Sequence, residues 1–238
     1  MTTQRSKPGF FFIHGAGGTA RKWRRTTPAL SDVPWQAVNL PGHGPDSPAV
    51  NTIQPSIEAY AESLVPRLTE EVIVVGHSMG GLIALELAVR SPQVAGVVLA
   101  ASHVRLPVHP KILSQLAEGE FPESLFRASY SKTVDAALLE EERQELALNP
   151  IAVIHADFLS CDNYRQGPQT LGQLNVPVLA VYGAEDRLLP PDAEQELRQL
   201  KPDAQVVTIP EAGHYVMLEQ PAAFVEAIRK FREHFGKA

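Results

Sequence analysis

The chain holds one cysteine, Cys161, among 238 residues, which excludes an intramolecular disulfide and a cysteine-based zinc site. It also lacks an excess of cations. Its 21 Lys and Arg against 27 Asp and Glu give a formal net charge of −6, which argues against nucleic acid or an anionic membrane as the main partner. Long apolar runs are missing too. Phe10-Phe11-Phe12-Ile13 stops at His14, too soon for the apolar region of a signal peptide or for a membrane span. The reading is a cytoplasmic protein that needs neither nucleic acid nor membrane. No repeat or low-complexity tract breaks the chain. With 44% hydrophobic and 20% charged residues, its length suits one large globular domain or one domain with an insertion.

Strand and helix signals alternate, and this predicts an α/β fold: a mostly parallel sheet with helices on both faces. Strands are expected over 9–13, 36–40, 72–75, 94–100, 178–182 and 205–209. Helices are expected around Trp23 and Leu30, over 56–68, from Met79 to about Arg90, over 192–200 and from Pro221 to about His234. Between His103 and Leu174 the strands vanish and short helical stretches take over, at 111–118, 124–129, 134–148 and 151–159. So long an excursion between parallel strands exceeds a plain crossover. It divides the chain into a core domain, 1–102 and 175–238, and an inserted helical cap, 103–174.

The most informative stretch is Val72-Ile73-Val74-Val75-Gly76-His77-Ser78-Met79-Gly80-Gly81. A β-branched run reads as a strand buried on both faces. It breaks at a serine framed by glycines and passes straight into a helix. That context makes the Gly-x-Ser-x-Gly pattern a nucleophile elbow, with the hydroxyl held at the carboxyl edge of a sheet. A serine needs a base, and the base needs a carboxylate to orient it. Asp186 follows the strand 178–182 and His214 follows the last strand. The order Ser78, Asp186, His214 matches a known chain order for such a triad. Glu185 is the rival acid. The expected oxyanion donors are the backbone N–H groups of Met79 and of Ala16, with Gly17 as the alternative to Ala16.

These motifs resemble the α/β-hydrolase fold superfamily. The carriers are His14-Gly15-x-Gly17, Leu40-Pro41-Gly42-His43-Gly44, Gly76-His77-Ser78-Met79-Gly80-Gly81, Gly183-x-x-Asp186 and Gly213-His214, in the family's order along nearly the whole chain. The branch most similar is that of small, capped, cofactor-free serine esterases resembling pimeloyl-ester carboxylesterases. The resemblance implies a hydrolase of small carboxylic esters acting through an acyl-enzyme at Ser78, with no metal or organic cofactor, as a monomer or homodimer. Lactones, thioesters, carbon–carbon substrates and cofactor-free perhydrolysis use the same machinery. So does a ligand receptor built on this fold. The lyase of menaquinone synthesis is disfavoured because Leu82 stands where similar lyases carry arginine, and a haloalkane dehalogenase because Ser78 stands where aspartate is needed. The family's opening antiparallel hairpin is expected to be missing or vestigial, since only eight residues precede the first strand.

The remaining candidates have plainer readings beside the functional ones. His43 reads as structural in its Gly/Pro turn, His14 as a support of the oxyanion loop, and His77 as a packing or hydrogen-bonding residue pointing away from the nucleophile. Gly15, Gly17, His77, Leu106, Phe126 and Phe158 are the candidates for contacting substrate, joined in the cap by Phe121 and Leu125. Each cap residue serves equally as cap core. The basic cluster Arg21, Lys22, Arg24 and Arg25 reads as a solvated helix face or, alternatively, as a rim favouring acidic substrates.

Overall fold

Strands that are apolar at every position need cover on both faces, and this chain supplies it. The computed structural model describes residues 7–45 and 55–236. Its centre is a sheet of six strands: β1 (Gly9–Ile13), β2 (Trp35–Val38), β3 (Val72–His77), β4 (Val94–Ala100), β5 (Val178–Gly183) and β6 (Gln205–Ile209). The order is β2-β1-β3-β4-β5-β6, and every neighbouring pair is parallel. Among the described residues no antiparallel strand precedes β1.

The helices, in chain order, are α1 (Ile57–Leu64), α2 (Met79–Arg90), α3 (Pro110–Ala117), α4 (Glu123–Ala128), α5 (Ala136–Leu146), α6 (Ile151–Asn163), α7 (Gly167–Gln173), α8 (Ala193–Leu200), α9 (Val216–Glu219) and α10 (Pro221–Glu233). Alternate side chains of β1 divide between two cores. Phe11 and Ile13 pack with Tyr60 and Leu64 of α1 and with Leu82 and Leu85 of α2. Phe10 and Phe12 pack with Trp23, Leu30, and Phe224, Ile228 and Phe231 of α10. The strand period of two thus explains why four consecutive apolar residues are needed there.

Several local expectations change. The segment holding Trp23 and Leu30 forms two 3₁₀ turns, Ala20–Trp23 and Thr27–Leu30, in place of one helix. Thr19 caps the first, and Pro28 with the two threonines before it disfavours a continuous α-helix. The helix expected over 56–68 is α-helical to Leu64 and ends in a 3₁₀ turn at Val65–Arg67, where Pro66 removes a backbone donor. The second strand lies slightly earlier than expected. Two short helices, α7 and α9, were not legible in the periodicity. From β4 to β5 the chain runs through α3 to α7 with no strand. No helix among the described residues is long and apolar enough to cross a membrane.

This topology decides where chemistry can occur. The chain leaves β1 for β2 on one side, then returns to place β3 on the other. The loops after β1 and β3 therefore diverge at a switch point on the carboxyl edge, where open α/β sheets form their crevice.

Candidate active site

Ser78 lies between β3 and α2 with φ +50° and ψ −119°, a region costly for any residue with a side chain, by about 1–3 kcal/mol. The surroundings leave it little alternative. Its N–H donates to Ala100 O at 3.0 Å, and its carbonyl accepts from Ser102 Oγ at 2.7 Å. A Cβ on Gly76 would lie 2.1 Å from Gly80 O, and one on Gly80 would lie 2.5 Å from Ile13 O. The two glycines thus allow the turn to close on itself and to press against the end of β1. Ser102 is a support that the sequence reading missed. A serine two residues past a strand carries no signal by itself.

The histidine and the acid come from the ends of β6 and β5. His214 Nδ1 and Asp186 Oδ2 are 2.8 Å apart, and both side chains are nearly sealed from solvent. The other oxygen of Asp186 accepts from the N–H groups of Leu188 (2.8 Å) and Leu189 (3.3 Å). Burial by itself would raise the carboxyl's pKa. The charge and hydrogen bond of His214 and the two backbone donors outweigh it and hold the carboxyl below its ordinary value. With Asp186 ionised, Nδ1 carries the proton and Nε2 is left as the acceptor. Glu185, the rival acid, instead accepts from Lys132 N at 3.0 Å.

Ser78 and His214 line one cavity of about 260 Å³. Its wall includes Ala16, His77 and Leu188 from the sheet edge, and Leu106, Ile112, Phe121, Leu125, Phe158 and Cys161 from the segment between β4 and β5. His77 therefore borders the cavity. Its Nε2 donates to His214 O at 3.0 Å, and burial, then the neighbouring His214, hold its imidazole well below the ordinary value. Burial likewise raises the Cys161 thiol far above its ordinary value, with the Asp157 charge adding to it, so that thiol is inert. Tyr215, which no sequence signal marked, also lines the cavity, stacked on Tyr130 with ring centroids 5.0 Å apart.

Three expected substrate contacts do not reach this wall. Phe126 turns into the interior beside Tyr130 and takes the Arg143 guanidinium over its ring at 4.3 Å. Gly15 is packed against the elbow, where a Cβ would lie 2.8 Å from His77 Nδ1 and 3.0 Å from Ser78 Cβ. Gly17 donates its N–H to Asp157 Oδ2, at 2.9 Å. That N–H is occupied, which removes Gly17 as the alternative to Ala16.

The basic cluster is solvated only in part: Lys22 is buried, Arg24 and Arg25 are half-buried and Arg21 is exposed. Lys22 is buried against Glu142, Arg24 meets Glu142 at 2.9 Å and Glu141 at 2.8 Å, Arg21 meets Glu145 at 2.6 Å, and Arg25 lies 3.6 Å from Glu141. Three acidic residues of α5, Glu141, Glu142 and Glu145, pair with all four cations, so most of the positive charge there is offset within the fold.

The parallel sheet, the strained serine between β3 and α2, and a histidine and acid from later strand ends define a hydrolase of the α/β class. The Alpha/beta hydrolase family profile matches residues 10–227, and the chain belongs to that family. It is similar to the pimeloyl-[acyl-carrier protein] methyl ester esterase of Neisseria meningitidis serogroup C, 30% identical over 241 residues, 94% of this chain and 93% of that protein. The biotin biosynthesis bifunctional protein BioHC of Cellvibrio japonicus is 29% identical over 98% of this chain, which spans only 49% of that longer protein. Among solved structures, a thermophilic esterase superposes with a TM-score of 0.81 at 31% identity, covering 98% of this chain and 92% of that one.

Proposed function

We propose that the protein is a serine hydrolase that cleaves small carboxylic esters through an acyl-enzyme at Ser78. The observation that carries the reading is a strained serine sharing one cavity with a histidine whose other ring nitrogen is fixed by a buried carboxylate. The esterases among its relatives favour the same reading.

In this mechanism Ser78 Oγ attacks the ester carbonyl while His214 Nε2 takes its proton. Asp186 holds the imidazole in the tautomer that leaves Nε2 free and stabilises the imidazolium that forms. The oxyanion of the tetrahedral intermediate accepts from the N–H groups of Ala16 and Met79. Met79 is the first residue of α2, where an N–H has no acceptor within the helix. His214 then protonates the leaving alcohol, and later activates the water that releases the acid from Ser78. Residues 103–174 act as a cap over the carboxyl edge, and the side chains of Leu106, Ile112, Phe121, Leu125 and Phe158 give the cavity an apolar wall suited to an acyl chain. The protein works in the cytoplasm as a monomer or homodimer, on small-molecule esters, without nucleic acid or membrane.

The test is hydrolysis of p-nitrophenyl esters from acetate to decanoate, wild type beside Ser78→Ala. The expected result is turnover by wild type and a loss in kcat on the order of 10⁶-fold in the variant. Turnover retained by a folded Ser78→Ala protein would overturn the reading. The best chain length measures how much acyl chain the cavity accepts.

A further inference from the structure

Helix α6 buries one face through Val153, Ile154, Asp157, Ser160 and Cys161, spaced as neighbours on a helix, with half-buried Phe158 beside them. Ile154 lies against Gly17, whereas Phe158 and Cys161 line the cavity. Asp157 is the anomaly, a fully buried carboxylate and the one ionisable acid on that buried face. Every partner it has lies outside its own helix. Oδ2 accepts from Gly17 N at 2.9 Å and from His43 Nε2 at 2.7 Å, and Oδ1 accepts from Tyr60 OH at 2.8 Å.

Asn149, just ahead of α6 and also buried, completes the pattern. Its Nδ2 donates to Gly17 O at 2.9 Å and to Gly18 O at 3.0 Å, and its Oδ1 accepts from Gly44 N at 2.8 Å. The rest of the loop is held by its own residues. Gly15 O accepts from Gly18 N at 3.1 Å and from His14 Nδ1 at 2.8 Å, while His14 Nε2 accepts from Leu40 N at 3.1 Å. That double role needs a neutral His14. Burial, with the His43 ring beside it, keeps the imidazole well below its ordinary value.

The polar backbone groups on both sides of Ala16 are thus tied down. Among the described residues no protein group takes up the N–H of Ala16 itself. We propose that Asp157 and Asn149 form a clamp from the inserted segment that sets the position of the Ala16 N–H, making Asp157 a positioning residue for oxyanion stabilisation. The inference rests on the reading of Ser78 and Ala16 given above. It adds that the oxyanion hole is complete only while α6 is seated on the core. A donor displaced by about an ångström still admits substrate but stabilises the tetrahedral oxyanion poorly. The clamp therefore acts on kcat rather than on KM.

The experiment measures kcat and KM for p-nitrophenyl butyrate and the inhibition constant of an alkyl trifluoromethyl ketone, which forms a tetrahedral adduct with the serine. Asp157→Ala is expected to lower kcat about 10- to 100-fold and weaken the ketone by a similar factor, with KM within about threefold of wild type. Asp157→Asn should restore kcat to within about threefold, because one amide oxygen suffices for Gly17 and His43 while the amide nitrogen donates to the Tyr60 hydroxyl. Tyr60→Phe removes a bond from the same carboxylate without touching the loop. It should lower Tm yet leave kcat within about twofold.

A folded Asp157→Ala protein with wild-type kcat and ketone binding overturns the clamp. So does Tyr60→Phe if it matches the kcat loss of Asp157→Ala, since that pattern follows general loosening. Should Asp157→Ala fail to fold, Asn149→Ala reads the same clamp through the Gly17 and Gly18 carbonyls. A kcat loss above about fivefold at unchanged KM supports it, and a loss under twofold overturns it. Failure of the underlying reading looks different: wild type without ester turnover, or turnover surviving in Ser78→Ala.

Discussion

The two loops that meet at Ser78 are held in place by opposite means. The elbow after β3 is fixed by its own glycines and by the adjoining strand ends. Gly76 and Gly80 leave no room for a Cβ, and Ala100 at the end of the next strand and Ser102 just past it hold the strained serine's backbone. The loop after β1 is fixed from a distance of at least 120 residues, by polar side chains that arrive with α5, α6 and the turn between them. Close backbone packing with short hydrogen bonds to the neighbouring strand's end holds one loop in position, and buried side-chain hydrogen bonds and ion pairs from the inserted segment hold the other. A sterically fixed loop forms with the sheet. A loop fixed by hydrogen bonds is correct only when a separate part of the chain has docked.

The sharpest way to break this comparison is Gly76→Ala. Its Cβ would meet backbone atoms of Gly80 at 2.1 and 2.3 Å, and no rotamer change relieves that. The expected cost is more than about 4 kcal/mol, read as a collapse of the urea midpoint or loss of folded protein. A variant as stable as wild type would show that the elbow is not sterically fixed.

A smaller effect is expected on the other side. Lys22→Met leaves Glu142 buried with only Arg24 and the Tyr130 hydroxyl. It should cost about 3 kcal/mol. Pairing it with Glu142→Leu should recover part of that loss, because the stranded charge is then gone. No recovery would mean that packing rather than charge joins α5 to the loop region.

The smallest effect separates the two by pH. Burial opposes charge on His43, yet the Asp157 hydrogen bond and charge outweigh it and raise the imidazole above its ordinary value. A raised histidine contributes stability that is full below the unfolded pKa of about 6.5 and is lost as pH rises through the folded value. The Tm gap between wild type and His43→Gln should therefore narrow from pH 6 to pH 9. The gap for Ser102→Ala should stay level, since the elbow contact it removes involves no titratable group. A level gap for His43→Gln would remove the ionic part from the clamp.

The sheet and the elbow were legible because their causes are local. Apolar runs announce strands buried on both faces, and Gly76, Ser78 and Gly80 announce the turn that strand and helix require. Asp186 and His214 were legible as ends of later strands. Phe126 was not separable from Phe158, because both are apolar residues on short helices and only the docking of those helices decides which one faces the cavity. Asp157 carried a faint signal, a carboxylate at a position that helical spacing assigns to the buried face. Its partners Gly17, His43 and Tyr60 lie 97 to 140 residues away, beyond the reach of any periodicity.

By itself the sequence determined the parallel sheet, the strained serine at its edge and the placing of Asp186 and His214 after later strands, since each depends on steric and hydrophobic rules acting over a few residues. Only the tertiary structure decided that the four cations near the first loop pair with acidic residues of α5, that Gly17 spends its N–H on α6, and that the inserted segment anchors the loop beside Ser78. Those outcomes depend on which buried polar groups meet. Leaving such a group unpaired is costly, so the partners are chosen by how distant parts of the chain pack.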